Sequence, residues 1–334
     1  RSDSRRSRKR ELHSRKGGSA VRREMRVIYP GPFTTVQDNG RYGHQSEGFI
    51  VSGCADSESM KIANILCGND PCCGVLEMTL AGMCVQFMCD TVIAVSGADI
   101  VPFINGKRAE MNRAYFLPEG SYFMSSGSVN GIRAYLAVSG GFDIPSVMGS
   151  VSTGLKFALG GFGGRRLKAG DTDPLNRETP RPANIAERRT PRIPYESSVT
   201  LRCVRGPQDG MFTEKGIADF FGGEYTVTNA SDRMGIRFDG TPLESVSGTD
   251  IISDGICCGS VQVPINGKPI LLLADHQTTG GYAKIATVIS ADIPKAAQLA
   301  AGNTVRFEEI GVAEAQEIAR ERHAYLAHLA AETV

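Results

Sequence analysis

Short apolar runs broken by glycine, proline and asparagine recur about every 8–12 residues, the rhythm of a barrel or sandwich of short strands. The pattern predicts strands at 27–29, 75–80, 84–88, 91–96, 100–104, 113–117, 121–124 and 132–138. A second series is predicted at 199–204, 226–228, 251–252, 261–264, 270–274, 284–290 and 304–309. Asn105-Gly106 and Asn266-Gly267 are hairpin signals, because both residues tolerate the positive φ of a tight turn. Helical periodicity is confined to a few places. Residues 57–67 are flanked by Asp56, which can cap the free amides, and by Gly68, which can end the helix. Further helices are expected at 213–221, after Asp292-Ile293-Pro294, and at 312–331. In the last, Ile318, Arg322, Tyr325 and Leu329 form one stripe, expected to dock on a barrel. The polar stretches 34–43 and 274–284 read as loops.

The expectation is therefore a mainly β protein of two barrel-like domains, at 25–175 and 196–311, with a few short helices and a C-terminal helix at 312–334. Residues 176–195, rich in proline and charge, read as the linker. Residues 1–24 hold ten Lys/Arg and three Asp/Glu, a net of +7, and read as a basic disordered leader or tag ahead of Met25. That leader hides the character of the body, which carries 27 basic and 33 acidic residues, a net of −6. A nucleic-acid surface is not expected on such a body. With 41% hydrophobic residues in 334, the chain has ample material for two cores. No run approaches the roughly 18 apolar residues of a membrane span, and no signal-peptide pattern is present. The nine cysteines lack any Cys-x-x-Cys and keep no ligand spacing with the five histidines, so no metal site is expected. Reduced thiols in a cytoplasmic protein are the reading.

Two polar clusters carry the candidate chemistry. Asp275-His276-Gln277-Thr278-Thr279-Gly280-Gly281-Tyr282-Ala283-Lys284 follows an apolar strand, where a chain leaves the core. It offers a carboxylate, an amide, hydroxyls, a phenol and an ammonium, with two glycines that let backbone approach a ligand. Near the other end, Gln37, Asp38 and Arg41 fall within five residues, and the arginine fork can clamp a carboxylate or phosphate. Arg233, in Ser231-Asp232-Arg233-Met234-Gly235, is a third candidate for an anionic ligand. Asp275, Lys284, Asp38 and Arg41 are the candidate catalytic residues; Gln37, Gln277, Thr278, Tyr282 and Arg233 are the candidate substrate-binding residues. There is no Gly-x-x-x-x-Gly-Lys-Ser/Thr and no Gly-x-Ser-x-Gly. Met-Lys occurs only inside the predicted helix, at Met60-Lys61, so this chain is not expected to carry biotin.

The run Pro30-Gly31-Pro32-Phe33-Thr34-Thr35-Val36-Gln37-Asp38-Asn39-Gly40-Arg41 resembles the opening of the KipA family, also known as the 5-oxoprolinase C subunits or urea amidolyase-related carboxyltransferases. Ser52-Gly53-Cys54-Ala55-Asp56, Arg133 through Gly141, Gly149 through Thr153, and Asp275 through Ile289 are similar to further elements of that family, in the same order. The resemblance implies cyclophilin-like barrels. It implies two partners, a KipI-like protein as the B component and a LamB/YcsF-like protein as the A component. Together the three would open 5-oxoproline to glutamate with ATP as co-substrate. Alternatives it leaves open are a carboxyltransferase acting on urea or a related small amide, with biotin on another chain, and a regulatory protein that antagonises a KipI-like inhibitor. In either chemistry a carbonyl oxygen gains charge: Arg41, Lys284 or glycine amides can stabilise it, and Asp275 or Asp38 can hold the N–H proton. Gln277, Thr278 and Tyr282 can orient a planar substrate. His276 falls at a variable position of the family pattern and ranks below its neighbours, and Ala283 stands where a proline is common.

Overall fold

The computed structural model describes residues 23–333 apart from 177, 178 and 193, so residues 1–22 of the expected leader lie outside it. The chain is mainly β, and its strands divide into three sheets. A five-stranded antiparallel sheet runs in the order Phe33–Gln37, Val75–Thr79, Asn130–Val138, Thr91–Asp99, Ala114–Leu117. A six-stranded sheet runs Thr172–Pro174, Glu24–Tyr29, Cys84–Phe87, Tyr122–Ser125, Pro102–Ile104, Lys107–Arg108. The two pack face to face. Met25, Val27, Val85, Phe87 and Phe123 from the second meet Val36, Leu76, Met78, Leu136 and Val138 from the first in one core.

The other face of the five-stranded sheet is also covered. Val75, Val92, Ala94, Ala114, Tyr135 and Ala137 lie under helix α1 (Ser57–Cys67), against Met60, Ala63 and Leu66. Burial on both faces explains why Thr91–Asp99 is almost wholly buried rather than alternating. The Asp56 carboxylate accepts the Ser59 N–H at 2.9 Å at the start of α1, and Gly68 ends it at φ 73°.

Residues 198–309 form a closed ring. Its strands follow the order Ser198–Arg205, Thr304–Glu309, Tyr225–Val227, Gly235–Asp239, Ile270–Leu272, Ser260–Val263, Thr279–Val288, and the last pairs back with the first. Only the pairing of Ser198–Arg205 with Thr304–Glu309 is parallel within this ring. Leu201, Tyr225, Phe238, Val261, Ile285 and Phe307 fill its interior. Helix α2 (Glu214–Gly222) adds Phe220, which stacks on Phe307 with centroids 4.5 Å apart. The strand Asp250–Gly255 adds to the ring from outside, beside Thr279–Val288. A short helix α3 (Ile293–Ala296) and the long α4 (Val312–Thr333) complete the molecule.

Five segments differ from the expectation. Phe33–Gln37 is a strand, not a loop: its threonines and Gln37 are buried in ladder contact with Val75–Thr79, so polarity there marks an internal surface. Gly235–Asp239 is a strand missed because glycine and arginine blur its alternation. Thr279–Val288 absorbs half of the stretch read as a loop, because pairing on both sides satisfies its backbone. Helix α4 lies on α1 of the first unit, with Leu326 and Leu329 packed on the α1 cluster and Arg322 paired with Glu58. In the expected linker, Ile185 is buried in that same cluster, and the Arg188 carbonyl accepts the Ala114 N–H at 2.9 Å. That stretch is a strap packed on the first unit.

Asp173, opposite Met25 in the ladder, is fully buried, and neither carboxylate oxygen has a hydrogen-bond partner among the described residues. Burial, with Asp171 nearby, pushes its pKa up to about 8. The folded state therefore holds a proton that the unfolded chain releases near the ordinary aspartate value, and the stability this group contributes at low pH is lost as pH rises toward 8. Replacing the acid by its neutral amide removes that dependence. The stability of Asp173→Asn relative to wild type should shift in the variant's favour by about 2–4 kcal/mol between pH 4 and pH 8. Urea unfolding at a series of pH values measures it; parallel profiles for the two proteins would show that the carboxyl is not held neutral.

Candidate functional site

The strand register builds the site. In the five-stranded sheet Phe33, Thr79 and Arg133 stand side by side across three strands, and two residues along the same face come Thr35, Glu77 and Tyr135. This row meets the ring where its chain turns. Arg233 sits between Tyr225–Val227 and Gly235–Asp239, and Asp275 follows Ile270–Leu272. The Arg233 carbonyl accepts the Asp275 N–H at 2.9 Å, so the two strand exits are tied together.

At the seam lies a buried ion network. The Arg233 guanidinium, 7% exposed, donates from Nε and Nη2 to the two oxygens of Asp275 at 2.8 and 3.1 Å. Its Nη1 donates to Glu77, and Nη2 also reaches the Gly53 carbonyl at 2.6 Å. Glu77 uses its other oxygen to accept the Ala55 N–H and the Tyr135 hydroxyl, both at 2.9 Å. Burial opposes the ionisation of Glu77, but Arg233, Arg133 and these hydrogen bonds outweigh it and hold its pKa below the usual value. Burial likewise opposes the charge on Arg233, and Asp275 and Glu77 overcome it, raising its pKa well above normal. A second bridge runs through Gln298 near α3. It donates to Asp56 at 2.7 Å and to the Arg133 carbonyl at 2.8 Å, and accepts the Ile132 and Arg133 N–H groups. Burial raises the Asp56 pKa to about 6.

The first polar cluster supports this seam from behind. The Asp38 carboxylate accepts the Ser150 hydroxyl at 2.7 Å, the Val151 N–H at 2.7 Å, the Gly40 N–H at 2.8 Å and the Ser152 hydroxyl. Arg41 is buried and donates to the Val147 and Ser152 carbonyls at 2.9 and 3.0 Å; burial lowers its pKa. Gln37 donates to Thr35 at 3.0 Å. All three side chains are engaged inside the first unit, where they fix the 147–153 loop. The Asp38 carbonyl and Arg41 N–H in turn pin the segment around Ser52-Gly53. Gly53 has φ +89° and a β-carbon there would come within 2.9 Å of Gly40, so only glycine aims that carbonyl at Arg233.

Two clefts, termed front and rear, adjoin the network. The front cleft, about 710 Å³, is lined by Phe33, Leu80 and Met234, by Lys156, and by Thr79, Arg133, Thr228, Arg233 and Asp275. Three buried atoms on its wall have no partner among the described residues: Thr79 Oγ1, Thr228 Oγ1 and Arg133 Nε. Asp275 and Arg233 thus meet Arg133 and Thr79 in one pocket. His276, the next residue, faces the rear cleft, about 770 Å³, with Asn39 and Tyr42. Its Nδ1 lies 2.7 Å from the Gln277 carbonyl and so carries the proton, leaving Nε2 as an acceptor; burial lowers its pKa. Gln277 and Thr278 serve the chain here through their carbonyls, Thr278 accepting the Ile256 N–H at 3.1 Å. Tyr282 is exposed on the outer ribbon opposite Asp250. Lys284 is buried along its stem and donates to Asp254 at 2.7 Å, away from both clefts. Glu77, Arg133, Thr79 and Gln298 were not singled out in the sequence; a glutamate inside Val75-Leu76-Glu77-Met78 was the one available signal, a charge in a buried run.

The fold is thus a closed ring joined through ionic groups to a two-sheet unit, with clefts beside the joint. The chain belongs to the carboxyltransferase domain family, subdomains A and B, whose pattern matches residues 47–309. It is 34% identical over 306 residues to the C subunit of 5-oxoprolinase from Escherichia coli K12, covering 92% of this chain and 97% of that one. The corresponding Haemophilus influenzae 5-oxoprolinase protein is 35% identical over 87% of this chain and 93% of its own. Among solved structures, the K. lactis urea amidolyase matches with a TM-score of 0.87 at 28% identity, over 93% of this chain and 20% of that much longer one.

Removing the shared cation from this network leaves two acids buried without it. Arg233→Met should cost about 3–5 kcal/mol in urea unfolding, and adding Glu77→Gln to it should recover part of the loss. A single variant that unfolds like wild type would show that the seam does not depend on the ion network.

Proposed function

We propose that this chain works as the C subunit of a 5-oxoprolinase and that the front cleft holds the cyclic amide. One observation carries the reading: Asp275 is fixed by two hydrogen bonds from Arg233 and lines the same pocket as the unpartnered Arg133 Nε and Thr79 Oγ1. A lactam presents an N–H donor beside a carbonyl acceptor. Asp275 accepts the N–H. Arg133, Thr79 and Thr228 donate to the oxygens, and Phe33, Leu80 and Met234 contact the ring methylenes. As the amide C–N bond breaks, the carbonyl carbon takes an oxygen from water and the nitrogen gains a proton. Asp275 is placed to control that proton, and the donors stabilise charge gathering on oxygen.

ATP is the co-substrate in this reading. In the glycine run at 160–164, Gly160, Gly161 and Gly164 are packed against their own unit, a β-carbon at Gly160 sitting 2.1 Å from the Ser152 carbonyl, while Gly163 faces open space. The reading places nucleotide handling on a surface shared with the KipI-like and LamB/YcsF-like partners. A second reading, carboxyl transfer to urea from biotin on another chain, draws on the likeness to the K. lactis urea amidolyase. Urea offers the same paired N–H and C=O, and lacks the carboxylate and methylenes of 5-oxoproline.

Reconstitution with the two partner proteins, followed by ATP-dependent glutamate release from 5-oxoproline, tests the proposal. Asp275→Asn should lower kcat by about 100-fold or more while the three proteins still co-purify. Thr79→Val should act mainly on KM, raising it several-fold through a lost hydrogen bond. Full turnover by Asp275→Asn would remove the carboxylate from the chemistry.

A further inference from the structure

The rear cleft has a charge pattern unlike the front one. No aspartate or glutamate lines it among the described residues, although the body of the chain is net acidic. The lining side chains able to carry positive charge are Lys61, His276 and His323. Lys61 lies one helical turn beyond Ser57 on α1, and both face the cleft. Ser52, 4% exposed and held at φ 55°, also lines it, while its hydroxyl turns away toward Gly154, outside the cleft. Asn39 adds an exposed amide, and Ile256, Ile289, Ile293 and Val312 add apolar side chains to the lining. The front cleft, by contrast, is lined by Asp232 and Asp275.

We infer that the rear cleft is a binding site for a small organic carboxylate, its oxyanion held by Lys61 and Asn39 and its apolar body lying on Ile289 and Val312. Charge selects the ligand, because the pocket offers a cation and neutral donors with no competing acid. The apolar side chains select a carboxylate with a hydrocarbon body over a bare inorganic anion, which would leave them against water. His276 supplies one acceptor, its Nε2, for a hydroxyl or amine on the ligand. The inference does not depend on the oxoprolinase reading, since none of these groups takes part in it.

Calorimetric titration of the full chain with butyrate, butyramide and inorganic phosphate tests it. Butyrate should bind and the isosteric neutral amide should not. Lys61→Gln should weaken butyrate about tenfold. Lys156→Gln, on the front cleft, should leave butyrate affinity unchanged. Thermal melts establish that each variant is folded. Equal affinity for butyrate and butyramide, phosphate binding in preference to butyrate, or indifference to Lys61→Gln would each overturn the assignment. Glutamate release is a separate readout, so loss of one proposal leaves the other standing.

Discussion

The structure turns on one guanidinium. Arg233 belongs to the ring, yet two of its partners, Glu77 and the Gly53 carbonyl, belong to the two-sheet unit. Around it four charges balance: Arg233 and Arg133 against Glu77 and Asp275. A buried cation alone would be prohibitive, and so would a buried carboxylate pair. Together, with a tyrosine hydroxyl, a backbone N–H and a glycine carbonyl filling the remaining positions, they are mutually satisfied. This cluster ties the two units together, beside the Gln298 bridge and the packing of α4 on α1. A planar fork with five donors can meet two acids and a carbonyl at once, which a lysine cannot.

Much of the fold was legible in the sequence because it rests on local rules. Helix α1 follows from Asp56, Gly68 and the apolar spacing between them, and the Asn105-Gly106 hairpin from turn chemistry. The site was legible only by halves. Asp275 and Arg233 stand out as polar groups at strand exits, and the structure brings them into direct contact. Gln37, Asp38 and Arg41 stand out equally, but their reach is into the 147–153 loop, more than a hundred residues away. Nothing local distinguishes a carboxylate that meets substrate from one that meets two serines and a backbone amide. Glu77, Thr79 and Arg133 were invisible because their meaning comes from cross-strand register, which no window of adjacent residues contains.

The seam is two-sided, and the division is made by consecutive residues. Asp275 faces one cleft and His276 the other, so a single step of backbone separates the two cavities. The ion network runs through that step, at Asp275. Its rigidity is inherited from Asp38, whose grip on the 150–152 segment and on Cys54 holds the Gly53 turn in place. Residues read as chemical at first sight thus contribute as the foundation on which the reacting face stands.

The path of the chain through this arrangement constrains its birth on the ribosome. The strands of the two-sheet unit are all made by Pro174, but Glu77 and Gly53 wait for Arg233, and the α1 surface waits for α4, whose Leu326 and Leu329 follow the whole ring in the chain. Domains generally fold as units in order of synthesis. Until those later segments are made, Glu77 lacks its arginine and the apolar face of α1 lacks its cover, and exposed apolar surface is what molecular chaperones read. Docking of the ring and of α4 removes both defects.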